Sequence, residues 1–195
     1  MNSPISPEQL FADLIEQSNK SSSQLPPVHL WHPEKTGDMG MLIDREGRWI
    51  HQSVEIKRPA MIKLFASILR IENGEYFLVA PNEKWQIQVD IAPLYIVDAK
   101  RILRDGVQVI SFTTSTEDQV LLSPDNRLIM HQKKPQESIF PLIHVRDGLN
   151  ALVSRSVYYQ LVEWGRENIL DNGKSELILD SLGSQFSLGD ITQSG

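Results

Sequence analysis

A loose internal repeat is the feature of this sequence that most restricts its fold. The segment REGRWIHQSVEIKRPAMIKLFA, residues Arg45–Ala66, reappears in altered form as RDGLNALVSRSVYYQLVEWG, residues Arg146–Gly165. Each copy has an arginine, an acid and a glycine, then an apolar-rich stretch, a second arginine (Arg58 or Arg155) and an amphipathic run ending in an aromatic. The repeat predicts a strand–turn–strand–helix unit that occurs twice, in two halves packed against each other.

The spacing of turn residues predicts an α+β fold made of two similar sub-domains rich in antiparallel strands. Asn73-Gly74 and Asp105-Gly106 are hairpin turn signals, and no strand–helix–strand alternation accompanies them. The predicted organisation is an N-terminal helix and linker at 1–30, a first sub-domain at 31–95, a second sub-domain at 96–168, and a peripheral C-terminal extension at 169–195. Each sub-domain contains one copy of the repeat.

Charge and composition exclude several classes of protein. The 195 residues include 19 Lys plus Arg, 25 Asp plus Glu and no cysteine, so the formal net charge is -6. An acidic balance argues against a general nucleic-acid binder, and the absence of cysteine excludes disulfides and thiolate metal sites. We expect no signal peptide and no membrane span, because no basic region with an apolar core begins the chain and no long apolar run occurs. A cytoplasmic location is the expectation.

No residue pattern in the chain supports an enzyme, a metal site or a cofactor. Gly173-Lys174-Ser175 resembles the end of a phosphate-binding loop, but Asn168 stands where that motif needs a glycine. The five histidines lack the spacing of a zinc protease motif, and no nucleophile elbow is present. The sequence therefore favours a module that is not an enzyme, with no cofactor.

Basic residues are the strongest candidates for a ligand site. Arg45, Arg48, Lys57 and Arg58 lie close together in sequence, and Arg155 matches Arg58 in the second copy. An arginine fork suits phosphate or carboxylate, and a helix that starts near Lys57-Arg58 would favour an anion. The alternative is that the arginines bind carbonyls or carboxylates of the fold itself. We predict that Arg58 reaches a cleft and that Arg155 is mainly structural.

Aromatic residues near these cations could contact the flat part of a ligand. The alternative is that they belong to the core, and Tyr158 and Tyr159 cannot both face inward on one helix. The predicted ligand-binding residues are Trp31, Arg45, Trp49, Arg58, Lys84, Arg155 and Tyr158.

Together, several short motifs resemble the bacterial domain-of-unknown-function family numbered 1285. They are Trp31-His32-Pro33, Arg45-x-Gly47-x-Trp49, Lys57-Arg58, Leu64-Phe65-Ala66, Leu78-Val79-Ala80-Pro81-x-Glu83-Lys84 and Val157-Tyr158-Tyr159-x-Leu161-Val162-Glu163. Ala80 stands where the family pattern has threonine, which questions any role for a hydroxyl there. The resemblance implies duplicated motifs, a C-terminal half like a pleckstrin-homology fold, and a nucleotide-like ligand at the sub-domain interface with a role in signal transduction.

Three functions follow as hypotheses. The leading one is a module that binds a small anionic or nucleotide-like ligand. The second is a protein-interaction module with no small ligand, which would bind a signalling protein through exposed strand edges or the Tyr158–Tyr159 helix. The third is a hydrolase acting on a phosphate ester, which would need a metal or a converging acid–base set.

Overall fold

The structure, a computed structural model, describes residues 25–132 and 138–190. The chain divides into two compact units at Pro93/Leu94. The predicted N-terminal helix lies outside the described residues. No helix among the described residues has both the length and the apolar character needed to cross a membrane.

The first unit is a mixed sheet with one helix inserted between its two halves. After a 3-10 turn at Val28–Leu30, its elements are β1 (Lys35–Ile43), β2 (Trp49–His51), β3 (Val54–Glu55), α1 (Pro59–Ser67), β4 (Leu69–Glu72), β5 (Glu75–Val79) and β6 (Glu83–Val89). The strand order is β3-β2-β1-β6-β5-β4. Two antiparallel three-stranded meanders are thus joined by the parallel pair β1–β6.

The α1 helix forms because its apolar residues recur on one face. Pro59 suits the first helical position, and Met61, Leu64, Phe65 and Ala66 are buried. The Phe65 ring lies 5.8 Å from the ring of Trp49 on β2. A second close approach joins β1 to β6, where Gly37 pairs with Trp85 and a methyl group at Gly37 would overlap the indole ring.

The second unit contains a sheet of the same strand order. Its elements are β7 (Leu94–Arg104), β8 (Val107–Thr114), β9 (Gln119–Leu121), β10 (Leu128–His131), β11 (Phe140–Arg146), β12 (Leu149–Val153), α2 (Arg155–Trp164), β13 (Arg166–Ile169), β14 (Ser175–Ser181) and β15 (Ser184–Asp190). The order β10-β11-β12-β7-β8-β9 again joins two antiparallel meanders through a parallel pair, β12–β7.

Three hairpin turns are formed by residue pairs that favour a left-handed backbone. Asn73-Gly74, Asp105-Gly106 and Asp147-Gly148 all have positive φ, as a two-residue hairpin turn requires. The predicted hairpins at the first two sites are therefore confirmed. Both repeat segments also form a strand, turn, strand and helix, and the prediction of two similar sheet-rich domains of α+β class is confirmed. The likeness to a pleckstrin-homology fold stays a prediction.

The segment after Asn168 was expected to be peripheral, and this is wrong for residues 175–190. Strands β13, β14 and β15 form a separate antiparallel sheet. Ile178, Leu179, Phe186 and Leu188 from this sheet are buried. The buried Ser181 hydroxyl accepts a hydrogen bond from the Ile110 amide at 3.0 Å and donates to the Leu122 carbonyl at 2.8 Å. This sheet therefore completes the core of the second unit.

Candidate functional site

The amino terminus of α1 combines exposed basic side chains with a helix start that no described side chain caps. Arg58 is the N-cap residue, and no described side chain caps the helix. The first turn carries no acidic residue. A helix amino terminus bears partial positive charge, so an uncapped one beside basic side chains attracts an anion.

The chain path brings the Arg45 turn and the start of α1 toward each other. Strands β2 and β3 pair with Ile50 opposite Glu55, and the Ile56 amide then donates to the Trp49 carbonyl at 2.7 Å. This pairing continues one residue past β3, so Lys57 and Arg58 follow the chain back toward the turn between β1 and β2. Arg45, Lys57 and Arg58 are all exposed.

Arg48, by contrast, is committed to the turn itself. Its Nε donates to the Asp44 carboxylate at 2.7 Å, and the amides of Glu46 and Arg48 donate to Asp44 Oδ1 at 3.0 and 2.9 Å. Burial tends to raise the pKa of Asp44, but the hydrogen bonds from Arg48 and Glu46 outweigh it and hold that pKa below its ordinary value. Asp44 and Arg48 thus fix the turn on which Arg45 stands.

Lys84 is paired within the first unit rather than free for a ligand. Its ammonium donates to Glu72, which also accepts from Arg70, and it lies 4.7 Å from the centre of the Phe77 ring. The hydrogen bonds from Lys84 and Arg70 outweigh burial and lower the pKa of Glu72. Arg70 Nη1 also donates to the carbonyls of Val28 and Trp31, both at 2.8 Å. This network holds the 3-10 turn against the sheet.

The sequence did not single out Arg70 and Glu72, although a signal was present. Residues two apart on a strand share a face, so Arg70-x-Glu72 predicts an ion pair if β4 is recognised as a strand. The contribution of Lys84 could not be inferred in this way, because it depends on the register of β4, β5 and β6.

The two tryptophans among the predicted site residues occupy different environments. Trp49 is only 2% exposed and packs on Phe65, so it supports α1 from the core and offers no free face to a ligand. Trp31 is half-buried, and its carbonyl anchors Arg70. Its indole remains a candidate for ligand contact.

The structure does not show the structural role that was predicted for Arg155 in the second unit. Arg155 is the first residue of α2, not the residue before it, and its side chain is exposed. Among the described residues it forms no hydrogen bond or ion pair. Ser154 caps α2 instead, and its hydroxyl accepts from the Val157 amide at 3.4 Å. Tyr158 is half-buried, with its ring 6.4 Å from that of the exposed Tyr159.

The chain path thus directs Arg58 back toward the turn of Arg45, while Trp49 and Lys84 belong to the internal packing of the first unit. The meeting of all seven predicted residues at one ligand stays a prediction. Within residues 25–132 and 138–190, no cluster of three or more His, Asp or Glu side chains is arranged to hold a metal ion.

Comparison with known proteins places both units in one family. Residues 26–92 match the N-terminal domain, and residues 93–188 the C-terminal domain, of the DUF1285 proteins of unknown function. The chain belongs to the DUF1285 family. A DUF1285 family protein from Silicibacter pomeroyi DSS-3 is 37% identical over 91% of this chain and 95% of its own, with a TM-score of 0.76.

A second solved structure is a DUF1285 family protein from Shewanella baltica OS155. It is 29% identical over 63% of this chain and 90% of its own, with a TM-score of 0.48. No curated protein is significantly similar to the chain. Family membership thus names no ligand or reaction, and the proposal below depends on the residues of the site.

Proposed function

We propose that this DUF1285 protein binds a small anionic ligand, of the class of a nucleotide-like phosphate, at the amino terminus of α1. The observation that carries the proposal is an uncapped helix start whose N-cap residue is itself a free arginine. The terminus that a protein ordinarily closes with Ser, Thr, Asp or Asn here presents positive charge to solvent.

The backbone contributes little hydrogen bonding at this point, so the side chains must do more. Pro59 has no amide hydrogen, and the amides of Met61 and Ile62 both point to the Arg58 carbonyl, at 3.1 and 3.2 Å. The Ala60 amide and the helix dipole remain for an anion. Arg58, Lys57 and Arg45 would supply the other donors, and a guanidinium fork suits two phosphate oxygens at once.

Neighbouring packing would keep this site in place. Trp49 and Phe65 hold α1 on the sheet, and Asp44 with Arg48 fixes the turn of Arg45. In this proposal Trp49 positions the helix rather than touching the ligand. A signalling role, which the family resemblance implies, would follow if the ligand binds reversibly.

A thermal-shift titration tests the proposal on the full chain, with ATP, GMP, cyclic nucleotides and inorganic phosphate as probes. A ligand at 100 times its Kd raises stability by about 2.7 kcal/mol, so binding at millimolar levels is detectable. Arg58→Gln should abolish the shift. Arg127→Gln, an exposed arginine of the second unit, is the charge-matched control and should leave it unchanged. No shift with any probe, or equal losses in both variants, would refute the site.

A second candidate function is a protein-interaction module, and the outer face of α2 favours it. Tyr159 is 59% exposed and Val162 lies three residues on, also exposed, so both project from one side of the helix. A photo-crosslinker at position 159 should capture one stoichiometric protein, whereas a crosslinker at exposed Lys174 should not. Equal capture at both positions would count against this surface.

A further inference from the structure

The tip of the β7–β8 hairpin, residues 100–107, exposes apolar side chains that its own unit leaves uncovered. Leu103 is 77% exposed, and Ile102 and Val107 are 42% and 44% exposed. Leu182, another exposed apolar residue, lies beside them, because its amide donates to the Gln108 carbonyl at 2.8 Å. Clustered exposed apolar residues mark an interaction site more often than isolated ones do.

The tip extends beyond the strands on either side of it. Strand β12 pairs with β7 only as far as Ile96, and β9 pairs with β8 only from Ser111 onward. The pairs Arg101–Ile110 to Arg104–Val107 therefore belong to a two-stranded extension. The tip is therefore a two-stranded ribbon and not part of the six-stranded sheet face.

The base of the extension is firmly held. Gln108 Nε2 donates to the Asp180 carbonyl at 2.6 Å, and the Ile110 amide donates to the Ser181 hydroxyl. Val109 and Ile110 are both buried although they face opposite sides of the ribbon. The apolar tip is thus presented by an anchored element and not by a loose loop.

The charge of the tip opposes that of the whole chain. Lys100, Arg101 and Arg104 are exposed, and Asp105 is the acid within residues 100–107. The chain as a whole carries a formal charge of -6. The Arg101 guanidinium also lies 5.5 Å from the centre of the Trp164 ring, so an aromatic residue lies beside the exposed cations of the tip.

We propose that this hairpin tip docks on an anionic lipid bilayer, with Leu103, Ile102 and Val107 inserted at the interface. Apolar side chains surrounded by Lys and Arg gain from both acyl burial and attraction to anionic head groups. Alternation along β7 puts Ile102 on one face of the ribbon and Leu103 on the other, with Val107 on the face of Ile102. A lipid interface surrounds a wedge on all sides, whereas a flat protein surface would cover one face only.

Co-sedimentation of the full chain with lipid vesicles tests this docking. Vesicles of phosphatidylglycerol and phosphatidylcholine should bind the protein, pure phosphatidylcholine should not, and added salt should weaken binding. Leu103→Ser should lower the partition constant about tenfold, because a leucine side chain leaves the interface. Arg104→Gln should lower it less, since one of several cations is removed.

Ile169→Ser is the matched control, since Ile169 is an equally exposed apolar residue (74%) elsewhere in the same unit. It should bind vesicles like the unmodified chain, and circular dichroism should show every variant folded. Absence of binding to anionic vesicles overturns the proposal, and so does an equal loss in Leu103→Ser and Ile169→Ser. Binding that needs a second protein would assign the tip to a protein partner and overturn it as well. The result is independent of the nucleotide titration, because the two sites share no residue.

Discussion

The two units have the same strand order, but their helices lie at different places in the chain. In the first unit α1 connects the outer strands β3 and β4, whereas in the second residues 122–127 connect β9 and β10, and α2 comes after the sheet. In a flat six-stranded sheet, the two outer strands would lie about 24 Å apart. The turn at Ser123–Asn126 makes the connection between β9 and β10 shorter than an extended chain of the same length. The second sheet must therefore curl to bring these two outer strands together.

This difference shows that the sheet order does not depend on where the covering element is encoded. In the first unit α1 buries Met61, Leu64, Phe65 and Ala66 beneath the sheet. In the second unit α2 buries only Val157 and Leu161 among its described residues, and Ile178, Leu179 and Phe186 supply further core. The first unit covers its core with a helix that lies between its strands in the chain. The second unit covers its core with residues that follow the last strand of its six-stranded sheet.

The largest expected effect contrasts the two helices. Phe65→Ala should lower the unfolding free energy by about 3–5 kcal/mol, and Leu161→Ala by about 2–3 kcal/mol, because both side chains are fully buried and phenylalanine is the larger. Hydrogen exchange measured by mass spectrometry on peptides from each unit will show which one opens. Val54→Ala, at an exposed apolar site, serves as control. If Leu161→Ala were the costlier change, α2 and not α1 would be the main core helix.

Two glycines at close approaches sharpen the comparison. Gly37→Ala should cost about 1–3 kcal/mol, because the added methyl group overlaps the buried, rigid Trp85 ring. Gly165→Ala meets the Leu177 side chain in the second unit, which can rotate away, so it should cost less than about 1 kcal/mol. Urea denaturation of both variants measures the costs. Equal costs would mean that Trp85 moves as readily as Leu177.

Capping provides the next contrast. Ser154→Ala should destabilise the second unit by about 1 kcal/mol, because the α2 cap is lost. Arg58→Ser should stabilise the first unit by up to about 1 kcal/mol, since it introduces a cap that α1 lacks. The same substitution should remove the proposed anion site, and thermal unfolding with and without ligand measures both effects. A loss of stability in Arg58→Ser would show that Arg58 has a structural role.

The smallest expected effect is a change in stability at acid pH. The pKa of Glu72 is lowered in the folded state, so its stabilisation is complete above the ordinary value of 4.5 and is lost as the pH falls below it. Glu72→Gln should flatten this loss in the first unit. The pKa of Asp180 is lowered by Arg166, but that pair is exposed and screened, so Asp180→Asn should change little. Unfolding followed from pH 6 to pH 3 decides between them, and identical profiles for both variants would contradict the contrast.

The sequence predicted features that depend on local chemistry. Asn73-Gly74 and Asp105-Gly106 specify their turns because few other pairs tolerate positive φ at both positions. The apolar stripe of α1 and its start at Pro59 are likewise local.

The features that were missed depend on register between distant segments. Gly and Ser after Asn168 suggested a peripheral tail, yet Leu182-Gly183 forms a left-handed turn and the strands on either side of it contribute buried side chains. The pairing of Lys84 with Glu72 crosses three strands, and the one-residue offset between Arg58 and Arg155 depends on which residue caps each helix. None of these follows from residue type alone.

The hydroxyl of Ser181 has a consequence for the order in which a growing chain can fold. The first unit has all its strands once Val89 has been made, so it can fold while synthesis continues. The second unit cannot satisfy the Ile110 amide and the Leu122 carbonyl through this hydroxyl until Ser181 emerges, some sixty to seventy positions later. During that interval β8 exposes apolar surface that later residues will cover. The second unit is therefore the one that we expect to need protection from aggregation during translation.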